Sequence, residues 1–320
     1  MADYRRLLLL ARAWRTRPEE VVTPAGPLRR KGAGRRSGRR LLPQNEVSPT
    51  RRRRPADSRC SEIGWPAVAG PGSVPGVPEM FFDERIAARY DEDSAETFAP
   101  AVLDPVVDVL AGLAGDGRAL ELGVGTGRVA LPLSRRGVPV HGIELSPAMA
   151  ARLRAKPGAD AVAVTIGDFA TTRAPGTYRL AYLVYNTIMN LTSQDEQVEC
   201  FRTVAAQLEP GGCFLIEVGV PDLRRLPPGE TVRAFTVQPG RLGFDEYDVA
   251  RQIVHSHHYR VRDGRLDVSS APYRYVWPAE LDLMARLAGL ALRDRWGGWR
   301  REPFTAESTT HVSVWQKPPA

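Results

Sequence analysis

The chain has 320 residues, 43% of them apolar, which is enough to bury the core of one large domain or two modest ones. No apolar run approaches the ~20 residues needed to cross a bilayer. Three cysteines, Cys60, Cys200 and Cys213, form neither a disulfide framework nor the clustered spacing of a zinc site, so no metal is expected. These counts exclude a membrane-spanning protein, a disulfide-stapled secreted protein and a zinc module, and they predict a reduced, cytoplasmic setting. The net charge of +7 is unevenly placed: residues 1–78 hold 17 Lys and Arg against 6 Asp and Glu, and the remainder holds 27 against 31. Only Lys31, Lys156 and Lys317 are lysines, an Arg-rich bias that matches a GC-rich coding sequence. Arginine count is therefore a weak sign of nucleic-acid binding.

Residues 1–78 carry Arg clusters, among them Arg51 to Arg54, and 10 of the 27 prolines. Such a composition buries too little apolar surface to offset chain entropy, so this extension is predicted to be disordered. Only Tyr4 to Trp14, with Leu7 to Leu10, could support a short helix, too short for a secretory core. A polybasic tail could bind RNA or acidic lipid. The simpler expectation is an unstructured extension, with Met80 as the functional start.

The texture changes from Met80, and residues 79–320 are read as one domain. Phe81, Phe82, Ile86 and Tyr90 share one side of a short predicted helix, and Val102, Val106, Val107, Leu110 and Leu113 share one side of a second. Ala119 to Leu122 is a predicted strand, followed by a helix from Arg128 to Arg136 with Gly137 past its end. Val138 to Glu144 is the next strand. Ser146 and Pro147 supply the cap and first position of the next helix. Ala161 to Ile166 and Tyr178 to Tyr185 are two more strands. Ser193 to Glu196 reads as a capping box opening a helix through Val198, Phe201, Ala205 and Leu208. Gly211-Gly212 is expected to end that helix before a strand from Cys213 to Val218. A helix from Ala279 to Leu290 and strands at Ala291 to Arg295 and His311 to Gln316 complete the chain. Strands alternating with helices imply a parallel sheet wound on both faces.

Glu121-Leu122-Gly123-Val124-Gly125-Thr126-Gly127 lies between the first strand and its helix. Glycines here allow a sharp turn and close approach to a ligand, and the helix behind offers free N–H groups. Gly125 to Ala130 also fits the G-x-G-x-x-A form of dinucleotide binding. Glu144 falls at the end of the second strand, where a carboxylate can accept from both ribose hydroxyls of either a nicotinamide or an adenosyl cofactor. Asp168-Phe169 ends the third strand in the same crevice, where the acid can accept from an adenine amino group beside the ring.

The run from Ala119 to Lys156, then Gly167-Asp168-Phe169, then Leu208 to Gly212, resembles the class I S-adenosylmethionine-dependent methyltransferases, over roughly Phe81 to Gln316. The resemblance implies an α/β, doubly wound Rossmann-like sheet of about seven strands with a terminal antiparallel hairpin. It implies S-adenosyl-L-methionine as cofactor, with Gly123, Gly125 and Gly127 cradling its methionine part. Glu121 would orient that loop or meet the cofactor's amino group. Glu144 would hold the ribose, Asp168 and Phe169 the adenine, and Met149 its edge. Tyr90 looks like a residue that closes over the methionine end, or else a tyrosine packed at the helix–sheet boundary. Tyr185 would join the cofactor contacts. A nicotinamide dehydrogenase would continue into a catalytic domain or show a Tyr/Lys pair, and neither is found.

Ligands of open α/β sheets bind beyond the carboxyl ends of the strands. The segment from Tyr185 through Asn190 should therefore face the transferred methyl. The Asn/Asp-Pro-Pro-aromatic motif of nucleobase amino methyltransferases is absent, which argues against nucleic-acid base amines as acceptors. Residues 221–277 are an insertion beyond the minimal fold. Val249 to Val261 and Arg265 to Trp277 flank Asp263-Gly264, a strong hairpin turn. A two-residue turn pairs His257 with Ser270, His258 with Ser269 and Arg260 with Asp267, so the histidines fall on opposite faces. The hairpin would form a β lid over the strand ends. His257, His258 and Asn190 are the catalytic candidates; a histidine could deprotonate the acceptor, or the histidines could be ordinary polar residues of a half-exposed strand.

The resulting expectation is transfer of a methyl group to N or O of a small-molecule acceptor by direct in-line displacement. Two alternatives stay open: an RNA or protein methyltransferase using the basic tail, and a non-catalytic cofactor-binding module. Because residues 1–78 have the composition of an unfolded segment, a chain shortened to begin at Met80 should keep its melting temperature and cofactor affinity. A large drop in melting temperature would show that the extension packs on the domain.

Overall fold

The structure, a computed structural model, describes residues 82–262 and 264–319, all within one compact unit, Ser73–Ala320. The tail reading, and Phe81, lie outside the described residues. Two short helices, α1 (Glu84–Ala87) and α2 (Tyr90–Asp93), precede α3 (Pro100–Ala114). The alternating part follows: β1 (Ala119–Leu122), α4 (Ala130–Arg135), β2 (Val140–Glu144), α5 (Pro147–Arg154), β3 (Val162–Ile166), β4 (Tyr178–Leu183), α6 (Gln194–Gln207) and β5 (Leu208–Gly219). Four strands are then inserted: β6 (Val232–Gln238), β7 (Arg241–Asp248), β8 (Ile253–Arg262) and β9 (Arg265–Arg274). The chain closes with α7 (Pro278–Leu287), β10 (Ala291–Trp296) and β11 (Thr310–Gln316).

The main sheet has seven strands in the order β10-β11-β5-β4-β1-β2-β3. Strands β1 to β5 run parallel, while β11 pairs antiparallel with both β5 and β10. This is the doubly wound Rossmann-like sheet with a terminal hairpin. The order reverses between β1 and β4, so the ligand crevice belongs at their carboxyl ends.

Period-two alternation puts successive strand residues into two cores. Leu180, Tyr182, Cys213, Leu215 and Val314 pack with α3, α4 and α5 on one face. Ala181, Leu183, Phe214, Ile216 and Trp315 pack with α6 and α7 on the other. Phe201 of α6 meets Phe214 edge-on at 5.0 Å and Trp315 at 5.4 Å between ring centroids. The caps read from sequence form as expected: Ser146 Oγ accepts from Met149 N–H, and Ser193 and Glu196 form the capping box, each capping the other's backbone. No helix among the described residues is long and apolar enough to cross a membrane.

Several boundaries differ from the sequence reading. The first helix is broken in two at Ala88-Arg89. Val102 is exposed, because α3 starts with that turn projecting from the core. The helix after the glycine loop starts at Ala130 rather than Arg128, since the loop keeps a turn through Val129. Gly211-Gly212 does not separate α6 from a strand. The strand β5 already starts at Leu208 and absorbs the glycines at a register shift against β4. Tyr185 lies beyond β4 rather than in it.

The insertion is a four-stranded antiparallel sheet, β6-β7-β8-β9, not a lone hairpin. Its β8–β9 register is the one the two-residue turn dictates: His257↔Ser270, His258↔Ser269 and Arg260↔Asp267. Residues 249–252 form a turn instead of extending β8, and Trp277 leaves the strand to cap α7. Arg274, at the end of β9, is buried and fastens this sheet to the main domain. Its guanidinium donates to Gln197 Oε1 of α6 at 2.5 Å and to Glu280 Oε1 of α7 at 2.6 Å. Gln194 and Gln252 also donate to Glu280. Burial works against the Glu280 carboxylate, but these hydrogen bonds and the Arg274 charge outweigh it and hold its pKa below the usual value. Removing one partner of such a buried pair strands the other, typically at a cost of about 3–5 kcal/mol. Arg274→Met should therefore lower unfolding stability by about 3 kcal/mol in urea titration, and a loss below about 1 kcal/mol would show that Arg274 does not fasten the sheet.

Candidate active site

The glycine loop turns on left-handed backbone, with φ of +70° at Gly123, +56° at Gly125 and +81° at Gly127. A Cβ at Gly123 would lie 2.8 Å from Thr187 Cγ2 and 3.9 Å from a Phe169 ring carbon, so only glycine lets these segments meet. Glu144, buried at the end of β2, accepts the Gly125 N–H on one carboxylate oxygen at 2.7 Å. Its other oxygen accepts the Ser146 N–H at 2.9 Å. Burial pushes the Glu144 pKa up, and N–H groups of Ser146, Gly125 and Leu145 pull it partly back. Met149, at the start of α5, sits with its methyl 3.5 Å from where a Gly125 Cβ would be. Asp168 follows β3 and accepts the Ala170 N–H at 2.8 Å, while Phe169 is buried beside the loop.

The N-terminal helices dock on this loop. Asp91 accepts from Thr126 Oγ1 at 2.6 Å and pairs with Lys156 Nζ at 2.5 Å. Lys156 also donates to the Thr126 carbonyl at 2.8 Å. Tyr90, next to Asp91, is half-buried with its ring edge-on to Phe82 at 6.1 Å. Burial raises the Tyr90 pKa; the Arg128 charge opposes that, and Tyr185 and Glu144 add to it. The same Arg128 lies over the Tyr185 ring at 5.1 Å. Tyr185 and Asn186 both have positive φ, +57° and +61°. Non-glycine residues hold that backbone only where surroundings enforce it. Here Glu217 accepts the Tyr185 N–H at 2.7 Å and the Asn186 side chain accepts the Gly219 N–H at 2.7 Å.

Beyond Tyr185 a cavity of about 740 Å³ opens between the strand ends, the N-terminal helices and the inserted sheet. Tyr90, Tyr185, Asn186, Asn190 and His258 line it, and His257 does not. The register explains the split. His258, Ser256, Arg260, Asp245, Tyr247 and Tyr273 share the cavity face, whereas His257 points away, 2.7 Å from Ser270 and 3.4 Å from Glu246. His257 thus loses its standing as a catalytic candidate. Sequence reasoning missed Asp245, Tyr247, Arg233 and Arg241, which belong to the unforeseen β6–β7 hairpin. The Pro239-Gly240 pair, a turn signal between two short runs, was a usable signal.

A family profile described as a methyltransferase domain matches residues 119–212. The solved structure of the CcbJ methyltransferase from Streptomyces caelestis is 35% identical, with a TM-score of 0.68, over 76% of this chain and all of that one. The chain belongs to the class I S-adenosylmethionine-dependent methyltransferases. The cypemycin N-terminal methyltransferase of a Streptomyces species is 27% identical over 242 residues, 71% of this chain and 97% of that relative. CalS10 of Micromonospora echinaspora, an amino pentose methyltransferase solved with S-adenosylmethionine bound, shares the fold at 21% identity, with a TM-score of 0.55 over 74% of this chain and 99% of that one. The methyltransferase uses S-adenosylmethionine, and the left-handed loop with its buried acid at β2 fits that cofactor.

Glu121 lies fully beneath the loop on β1 and accepts from Tyr182 Oη at 3.0 Å. Burial raises its pKa to about 8, against opposing contributions from Tyr182 and Arg128. The folded form therefore keeps a proton that the unfolded chain, titrating near 4.5, has released. Stability should fall as pH rises through this window, by at most about 1.4 kcal/mol per pH unit from this group. Glu121→Gln abolishes that term, so its melting temperature should gain on the parent between pH 5 and pH 9. Parallel melting curves across that range would show that Glu121 holds no proton.

Proposed function

We propose that the methyltransferase acts on a small molecule, at nitrogen or oxygen, held in the cavity under the inserted sheet. The observation that supports this most directly is the cavity itself. Its volume of about 740 Å³ lies within the range of small-molecule sites. The cypemycin relative, named an N-terminal methyltransferase, favours nitrogen as one of the two acceptor atoms.

S-adenosylmethionine, when bound, supplies an electrophilic methyl carbon on its sulfonium. Gly123, Gly125 and Gly127 cradle its methionine part and Glu121 supports the loop from below. Glu144 receives the ribose hydroxyls on the carboxylate edges left free by Gly125 and Ser146. Asp168 and Phe169 take the adenine, with Met149 against its edge. Tyr90 and Tyr185 cover the methionine end and separate it from solvent. Asn190, whose side chain donates to the Thr187 carbonyl at 3.0 Å, and His258 form the acceptor's walls. Alignment and desolvation of the two reactants supply most of the rate, by direct in-line displacement without a covalent enzyme intermediate.

Radiolabelled cofactor incubated with size-fractionated cell extract tests the reading. Label should enter the low-molecular-mass fraction; label confined to protein or RNA would overturn it. The register adds a sharper expectation. His258→Ala should raise the Michaelis constant for the acceptor several-fold, while His257→Ala should leave it unchanged. Cofactor affinity measured by calorimetry should survive both, and equal, full activity in both variants would remove His258 from the acceptor site.

A further inference from the structure

The cavity face of the inserted sheet is graded. Its rows, read across the strands toward the base, are Arg241, Arg260 and Asp267; then Gly243, His258 and Ser269; then Arg233, Asp245, Ser256 and Ala271; then Tyr247, Val254 and Tyr273. Gly243 lacks a side chain, and the Phe235 ring occupies that space and meets His258 at 5.2 Å. Polar groups thus stand at the tip and aromatics at the base, with Asp245 at the boundary. Tyr273 lines the cavity together with Tyr90, Tyr185 and Asp245. Burial raises its pKa to about 12, and Tyr90, Asp245 and Tyr185 add to that.

The contact between Ser256 and His258 decides which side chain here can take a proton. Ser256 Oγ lies 3.4 Å from His258 Nε2. Where the hydroxyl donates, it uses the Nε2 lone pair; where it accepts, the lone pair sits on Nδ1, which is buried without a partner. In either tautomer the histidine offers the cavity no free base, while the Asp245 carboxylate lines the cavity.

We propose that Asp245 receives the acceptor's ammonium group and removes its proton, and that the acceptor of this methyltransferase is therefore an amine. The inference rests on the small-molecule reading above. The ammonium proton passes to a carboxylate oxygen of Asp245. The freed nitrogen lone pair forms the N–C bond as the methyl–sulfur bond breaks, and that electron pair leaves on sulfur. The Asp245 proton is then lost to water. Burial makes Asp245 a stronger base than an exposed aspartate, while Ser256, Arg233 and His257 moderate the effect. The other groups facing it are Tyr247 on its own strand, His258 on β8 and Tyr273 on β9.

The test compares the full-length parent with Asp245→Asn, which keeps the shape and removes the charge. Low-molecular-mass extract of the cells that make the protein serves as acceptor source, untreated or treated with aqueous acetic anhydride to block amines. Labelled cofactor should enter the untreated fraction only, and Asp245→Asn should lower kcat/KM at pH 7 by about 10²–10⁴-fold. The parent's kcat/KM should be flat across neutral pH. The variant's should climb about tenfold per pH unit toward the pKa of the amine, because it can use only substrate already deprotonated. Cofactor binding by calorimetry should be equal in both. Label that survives acetylation, or a variant with the parent's pH profile, would overturn the role of Asp245 while leaving a small-molecule acceptor standing. Lost cofactor affinity in Asp245→Asn would reduce the residue to a structural one and overturn the proposal. Label confined to macromolecules, or absent from both fractions, would overturn the small-molecule reading and this inference with it.

Discussion

The Glu144 carboxylate holds the site together. One oxygen takes the Gly125 amide of the loop after β1, the other the Ser146 amide that starts α5. Two crossovers on neighbouring strands are thus tied at the reversal of strand order, where the cofactor must lie. A carboxylate accepting backbone N–H groups in a buried place makes a charge-assisted contact of the strong kind. The loop can then hold left-handed backbone at three alternate residues, Gly123, Gly125 and Gly127, and the N-terminal helices gain a fixed platform. Asp91 reaches Thr126 and Lys156 only because the loop carries Thr126 at that position. Tyr90 is carried over the crevice by the same contact.

The fold was legible where period and turn chemistry coincide. The strand–glycine–helix pattern, the Ser146 and Ser193 caps and the β8–β9 register follow from residue type and spacing alone. The β6–β7 hairpin escaped because Val232 to Asp248 alternates weakly: Arg233 and Arg241 stand where a half-buried strand usually places apolar residues. These positions face a polar cavity rather than a core, so the usual hydrophobic rhythm is absent. Gly211-Gly212 misled for a different reason. Paired glycines usually end a helix, but here close packing against Tyr178 and Arg179 of β4 requires them within the strand.

The positions of Glu144 at the end of β2 and of Asp168 after β3 were legible in the same way. Cavity residues were not, because their meaning depends on which face of the inserted sheet turns inward. Register alone separated His257 from His258, and it needed the sheet's attachment to say which of them meets the cavity. Asp245 comes into view only once the β7–β8 register places it on the cavity face.

The inserted sheet is held at its two ends by contacts of unequal strength. At the base, Arg274 and Glu280 have side chains only 5% and 15% exposed, with Gln194, Gln197 and Gln252 completing their hydrogen bonds. At the tip, Arg260 and Arg262 both clasp Asp93 of α2, and Arg85 pairs with Asp267 at 3.0 Å. The Arg85–Asp267 pair is 53% and 38% exposed, where such contacts contribute about 0–1 kcal/mol and weaken with salt. The base is therefore fixed by a buried network, and the tip is closed mainly by ion pairs. Asp93 lies three residues from Tyr90 on α2, so the contact that closes the tip also bears on the helix that carries Tyr90 over the cofactor crevice. That one turn of helix thus carries both Asp93, which closes the tip, and Tyr90, and both line the cavity.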